Sequence, residues 1–169
     1  VLFLLTADSL AGVLPTIRSR CISFAVAPVS PEDCARYCTA QGVGAKDAAL
    51  YSALFDGHIG TVLAAARDEA RREQVDKALA LAKAAAAKDS YAAAVLLAAY
   101  EKDKAGASAL LADFRAVAAA GLRGSSHFPV EGEIARKALG AADAAMQQIS
   151  AQVNPKIVLS VLAAKFRTF

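Results

Sequence analysis

Leu14-Pro15-Thr16-Ile17-Arg18-Ser19-Arg20-Cys21 is the stretch from which the rest of the chain is read. Upstream, Val1-Leu2-Phe3-Leu4-Leu5-Thr6 is a continuous apolar run with β-branched and aromatic members and no helical period. It predicts a strand buried on both faces, as inside a parallel sheet. Downstream, Cys21-Ile22-Ser23-Phe24-Ala25-Val26 predicts a second short strand. Between them stand a polar turn, Ala7-Asp8-Ser9, and a short turn of helix from about Leu14 to Ser19. An arginine just after a buried strand, on a tight and well-packed segment, would be held rigidly and pointed outward. Such a guanidinium suits a phosphate on another molecule, being always charged and offering a planar, bidentate fork. A surface arginine at a helix end is the plainer alternative.

The order apolar strand, proline-bearing turn, Ser-Arg-Cys resembles the motif of the clamp-loader subunits of bacterial DNA polymerase III, which are AAA+ proteins. The resemblance implies that Arg20 is a trans-acting arginine finger, that Ser19 and Cys21 flank it, and that Thr6 holds the sensor-1 position. It also implies a mainly α chain in three parts. Residues 1–26 would be the end of a truncated AAA+ α/β domain, 27–68 a three-helix lid, and 69–169 a helical collar through which subunits assemble.

Bulk composition sets the frame. The 169 residues suffice for one or two small domains with a buried core. Hydrophobic content is 56% and mean hydropathy +0.38, largely because 43 residues are alanine, the best helix former. No apolar run in the sequence reads as a membrane span, and no membrane partner is expected. A net charge of +3 is too mild to argue nucleic-acid binding unaided. Three cysteines without secretory features suit reduced thiols in the cytoplasm. The chain opens within a strand and contains no Gly-x-x-x-x-Gly-Lys-[Ser/Thr] phosphate loop, so it reads as a C-terminal fragment of a longer protein.

After the hinge-like Ala27-Pro28-Val29, Ser30-Pro31-Glu32-Asp33 starts a helix: serine caps, proline fits the first helical position, and acidic residues favour the first turn. This helix is predicted to reach Ala40. Others follow over Lys46–Phe55 and from His58 onward, carrying Ile59, Val62 and Leu63. In the family the third lid helix opens Gly-Ser-x-Arg, the arginine being sensor 2. Here the stretch is Gly57-His58-Ile59-Gly60, and Gly60 stands where that arginine would be. The departure favours the delta-prime type of subunit, which hydrolyses no ATP itself, over the gamma/tau type.

From Asp68 the composition becomes charged, and about five helices are predicted: Glu69 to about Lys88, Tyr91–Ala99, Ala109–Gly121, Val130–Gln152 and Lys156–Phe166. Arg123 to Pro129 has linker composition. The ending Val153-Asn154-Pro155-Lys156-Ile157-Val158-Leu159 also resembles the delta-prime type. Arg71, Arg72, Lys77, Lys83 and Lys88 string along one helix and read as a solvated face, the alternative being a phosphate-contacting stripe.

Cys34 and Cys38, at i and i+4, share a helical face. His58 and His127 lie in other segments, so buried core thiols are expected and no metal. His58 suits a solvated or capping role. The function implied is a non-catalytic subunit supporting ATP-dependent loading of a sliding clamp on primer–template DNA. It would hold no cofactor of its own, with ATP bound by a neighbouring subunit, and its partners would be gamma/tau, delta, the clamp and DNA. A gamma/tau-like ATPase subunit and an unrelated α-helical scaffold are the alternatives.

Overall fold

The computed structural model describes residues 3–7, 9–27, 29–124 and 127–169. Expectations for Val1, Leu2, Asp8, Pro28, Ser125 and Ser126 lie outside the described residues. The fold is mainly α-helical. The helices are α1 (Pro15–Arg18), α2 (Pro31–Ala40), α3 (Ala45–Leu54), α4 (Ile59–Arg67), α5 (Glu69–Ala86), α6 (Ser90–Ala98), α7 (Lys104–Leu122), α8 (Gly132–Ser150) and α9 (Pro155–Lys165). Short 3₁₀ turns lie at Leu10–Gly12 and Phe166–Thr168.

Local chemistry fixes most helix starts. An N-cap oxygen takes up a first-turn N–H that has no partner within the helix. Ser30 Oγ accepts from Asp33 N at 3.1 Å, Asp68 Oδ1 from Ala70 N at 3.0 Å, Asp89 Oδ1 from Ala92 N at 2.9 Å, Asp103 Oδ1 from Gly106 N at 2.9 Å, and Asn154 Oδ1 from Lys156 N at 2.9 Å. Pro31 and Pro155 occupy positions where a missing N–H is harmless. His58 stands exposed at the N-cap of α4 and makes no side-chain capping bond, so of its two expected roles it takes the solvated one.

α2, α3 and α4 pack on one another, with Cys34, Cys38, Ala48, Tyr51, Leu54 and Val62 buried among them. In the remainder α7 pairs most extensively with α8 and also with α5, while α6 packs on α9. The inner face of α8 is a row of small residues, Ala135, Ala138, Ala142 and Ala145, ending at Ile149. Alanines let two backbones approach closely. Gly121 near the end of α7 does the same: a Cβ there would collide with the Val130 carbonyl. Phe128 and Val130, at and just beyond the end of the Arg123–Pro129 stretch, are buried. Phe114 meets Phe166 at 5.8 Å between ring centroids, and Phe166 meets Phe169 at 4.9 Å, which seats the chain end in the core.

The core forms one cluster running from Cys34 to Phe169. It crosses the junction at Asp68, which both ends α4 and caps α5. By length and composition α7 could cross a membrane, contrary to the reading that no run would; half of it is buried inside the bundle, as in a core helix.

The N-terminal segment departs from expectation. Phe3–Ala7 and Ile22–Ala27 form no regular element, and among the described residues neither belongs to a sheet. Ile22, Phe24 and Val26 are 84–94% exposed, and Phe3, Leu4 and Leu5 are exposed too. An extended backbone becomes a strand only when a neighbouring edge supplies ladder hydrogen bonds, and no described segment offers one. The well-packed setting expected around Arg20 is likewise absent here, since α1 buries no residue.

Candidate functional site

The Ser19-Arg20-Cys21 turn is closed by local bonds. Pro15 sets the first helical position of α1, and Leu14 O accepts from Ile17 N and Arg18 N at 3.0 and 3.1 Å. Ser19 N donates to Pro15 O and Arg20 N to Ile17 O, both at 3.0 Å, and Cys21 N to Arg18 O at 3.4 Å. Ser19 Oγ donates back to Thr16 O at 3.2 Å. Serine thus serves the turn's own backbone, while Arg20 and Cys21 are exposed. Among the described residues Arg20 makes no side-chain hydrogen bond and no ion pair. Among the described residues none satisfies the five guanidinium donors.

Thr6 is exposed in the N-terminal segment, and Gly60 is exposed in the first turn of α4, with open space where its side chain would be. Ser19, Arg20 and Cys21 share one turn. No described hydrogen bond joins Thr6 or Gly60 to it.

The chain's other charged cluster lies at the junction of α3, α5 and α7. Arg71 grips Asp113 with both terminal nitrogens; Nη2 donates to Oδ1 at 2.7 Å and Nη1 to Oδ2. Asp113 is 5% exposed. The bond to Asp113 pushes the Arg71 pKa further up, against the opposing effect of burial. The guanidinium also sits over the Phe55 ring, 5.5 Å from its centroid, a cation–π geometry. Arg72 donates to the Ala66 carbonyl at the end of α4. Of the basic row expected to be a solvated face, Lys77, Lys83 and Lys88 are exposed, whereas Arg71 is turned inward because it has a buried carboxylate to meet. Asp113 was missed from sequence. Its signal was a lone acid in an otherwise apolar, alanine-rich helix, a position that calls for a basic partner.

Cys34 and Cys38 are fully buried. Burial, reinforced by Cys34, pushes the Cys38 thiol pKa up, so it stays protonated and unreactive. No group of three or more potential metal ligands occurs among the described residues. Comparison with protein-family models, curated proteins and solved structures returns no match.

Proposed function

We propose that the chain is a non-catalytic subunit, of a kind resembling delta-prime, of the cytoplasmic machine that loads a sliding clamp on primed DNA. Arg20 would be its trans-acting finger. The observation that carries the reading is Arg20 itself: a guanidinium within Ser-Arg-Cys, exposed and without an internal partner among the described residues. Such a group is available to the γ-phosphate of ATP held by a neighbouring subunit, where it would stabilise charge that grows during phosphoryl transfer. Arginine fingers contribute about 10³–10⁵ in rate in systems where they have been measured. The exposed apolar runs on either side of the turn fit a segment that completes an AAA+ sheet supplied by more chain than this one. Under this reading α2–α4 form the lid and α5–α9 the collar that meets gamma/tau and delta subunits. Gly60 leaves the lid without a cation for nucleotide in cis, which favours this subunit type over a gamma/tau-like ATPase.

The test compares wild type, Arg20→Ala and Arg20→Lys in a reconstituted full-length complex. Ala lowers steady-state ATP hydrolysis and clamp loading while assembly survives, because the collar loses nothing. Lysine rescues poorly, since a point charge does not reproduce the planar fork. In the isolated chain Arg20→Ala changes stability by no more than about 0.5 kcal/mol, as for an ordinary surface position. Unchanged rates with Ala, or a chain that unfolds on substitution, overturn the assignment.

A further inference from the structure

Three parts of the chain converge on the end of α3 and the turn that follows it, residues 53–58. From the N-terminal side, the Val29 carbonyl packs against Gly57 where no side chain could stand. From α5, Arg71 lies over Phe55 while Asp113 of α7 holds its fork. From the end of α7, Arg123 donates to the Ala53 carbonyl at 3.1 Å, and its Nε lies 3.8 Å from the Asp56 carboxylate. The turn is tightly wound: Asp56 and Gly57 have φ of 52° and 75°, Gly57 N donates to Ser52 O at 3.0 Å, and His58 N to Phe55 O at 3.1 Å.

These contacts differ in kind from the core around them. Apolar burial holds the three-helix unit against the five-helix unit, but it is non-directional and leaves their mutual angle weakly specified. Hydrogen bonds carry direction; across this joint the Arg123–Ala53 bond supplies it, while the Arg71–Asp113 fork, internal to the five-helix unit, fixes the guanidinium that lies over Phe55. The Ala53 carbonyl is among the last of α3 and has no acceptor role left within that helix. A cation there also meets the negative end of the helix dipole. Arg123 thus caps α3 from another helix, 70 residues away in sequence.

We propose that the α3–α4 turn is an electrostatic joint, in which Arg71 and Arg123 clamp its two sides and set the angle between the α2–α4 unit and the α5–α9 unit. It belongs to this chain alone and stands whether or not the proposed assembly does.

The test is a distance distribution between spin labels at Lys46→Cys on α3 and Ser160→Cys on α9, both exposed positions. The background carries Cys21→Ser; Cys34 and Cys38 are buried from the reagent. The parent gives a narrow distribution. Arg71→Ala with Arg123→Ala broadens it about twofold or more, as expected of a hinge set free, with helix content by circular dichroism unchanged. Arg123→Ala alone, at a half-exposed side chain, gives a smaller broadening and decides the matter should the double variant unfold. Arg123→Lys, which keeps the cation at the helix end, returns the width toward the parent. A folded Arg123→Ala with the parent's distribution, or a lysine variant as broad as alanine, overturns the proposal.

Discussion

Arg71 and Asp113, 42 residues apart, meet as a two-pronged ion pair whose acidic half is almost wholly shielded from water. Removing one partner strands the other. Arg71→Ala or Asp113→Ala therefore lowers stability by about 3–5 kcal/mol, the range for orphaning a buried charge. Replacing both with apolar residues of similar volume, Arg71→Met with Asp113→Leu, restores most of the loss. Urea unfolding of the two single variants and the double variant measures the coupling directly; additive losses would mean that the pair is energetically idle.

The same substitution has opposite consequences at two nearby glycines. Gly57 has φ of 75° and no room for a Cβ beside Val29. Gly57→Ala therefore destabilises by about 1–3 kcal/mol, the scale of forced backbone strain. Gly60 lies in open space within a helix, and Gly60→Ala stabilises by up to about 1 kcal/mol through lowered unfolded-state entropy. Thermal or urea midpoints of the two variants should move in opposite directions.

Ser52 is fully buried, and its Oγ has no hydrogen-bond partner among the described residues. Leaving a hydroxyl in that condition costs about 1–3 kcal/mol relative to hydration. Ser52→Ala removes the hydroxyl with little change of volume and raises the unfolding midpoint. A lowered midpoint would show that the hydroxyl is in fact satisfied.

Thiol chemistry separates the three cysteines. Cys21 is exposed, while Cys34 and Cys38 are buried and the Cys38 thiol is shifted toward its protonated form. A colorimetric thiol reagent at neutral pH titrates one group quickly in the native chain and three in denaturant. Cys21→Ser abolishes the fast group. Rapid reaction of more than one thiol under native conditions would contradict the packing of α2.

How far the sequence could be read varied with how local its signals were. The start of α2 was legible because Ser30, Pro31, Glu32 and Asp33 carry their message within four residues, and it begins where they place it. α7 was legible from Ala109 to Gly121, all but its first five residues and its last. Its start is hidden in the charged run Glu101–Lys104, where the Asp103 carboxylate caps the helix. The apolar runs around Arg20 predict strands, but pairing depends on a second edge that no local pattern announces. Arg71 was legible as charged and not as buried, because its partner lies on a different helix. The convergence of Val29, Arg71 and Arg123 on one turn left no trace in spacing at all. The clamp-loader reading of Arg20 rests on a motif, and its test lies in the assembly.

The alanine seam between α7 and α8 has a consequence for how the chain tolerates change. Alanine has no rotamers to surrender on burial, so α8 contributes its side of the contact without freezing side-chain torsions. Such a seam also has no slack. A leucine core can collapse around a deletion, but two helices spaced by methyl groups cannot move apart without breaking contact along their whole length. At Ala138 and Ala142, both fully buried, overpacking by valine or leucine costs about 1–3 kcal/mol, against about 1 kcal/mol for glycine. Enlargement, more than truncation, is the change this surface resists.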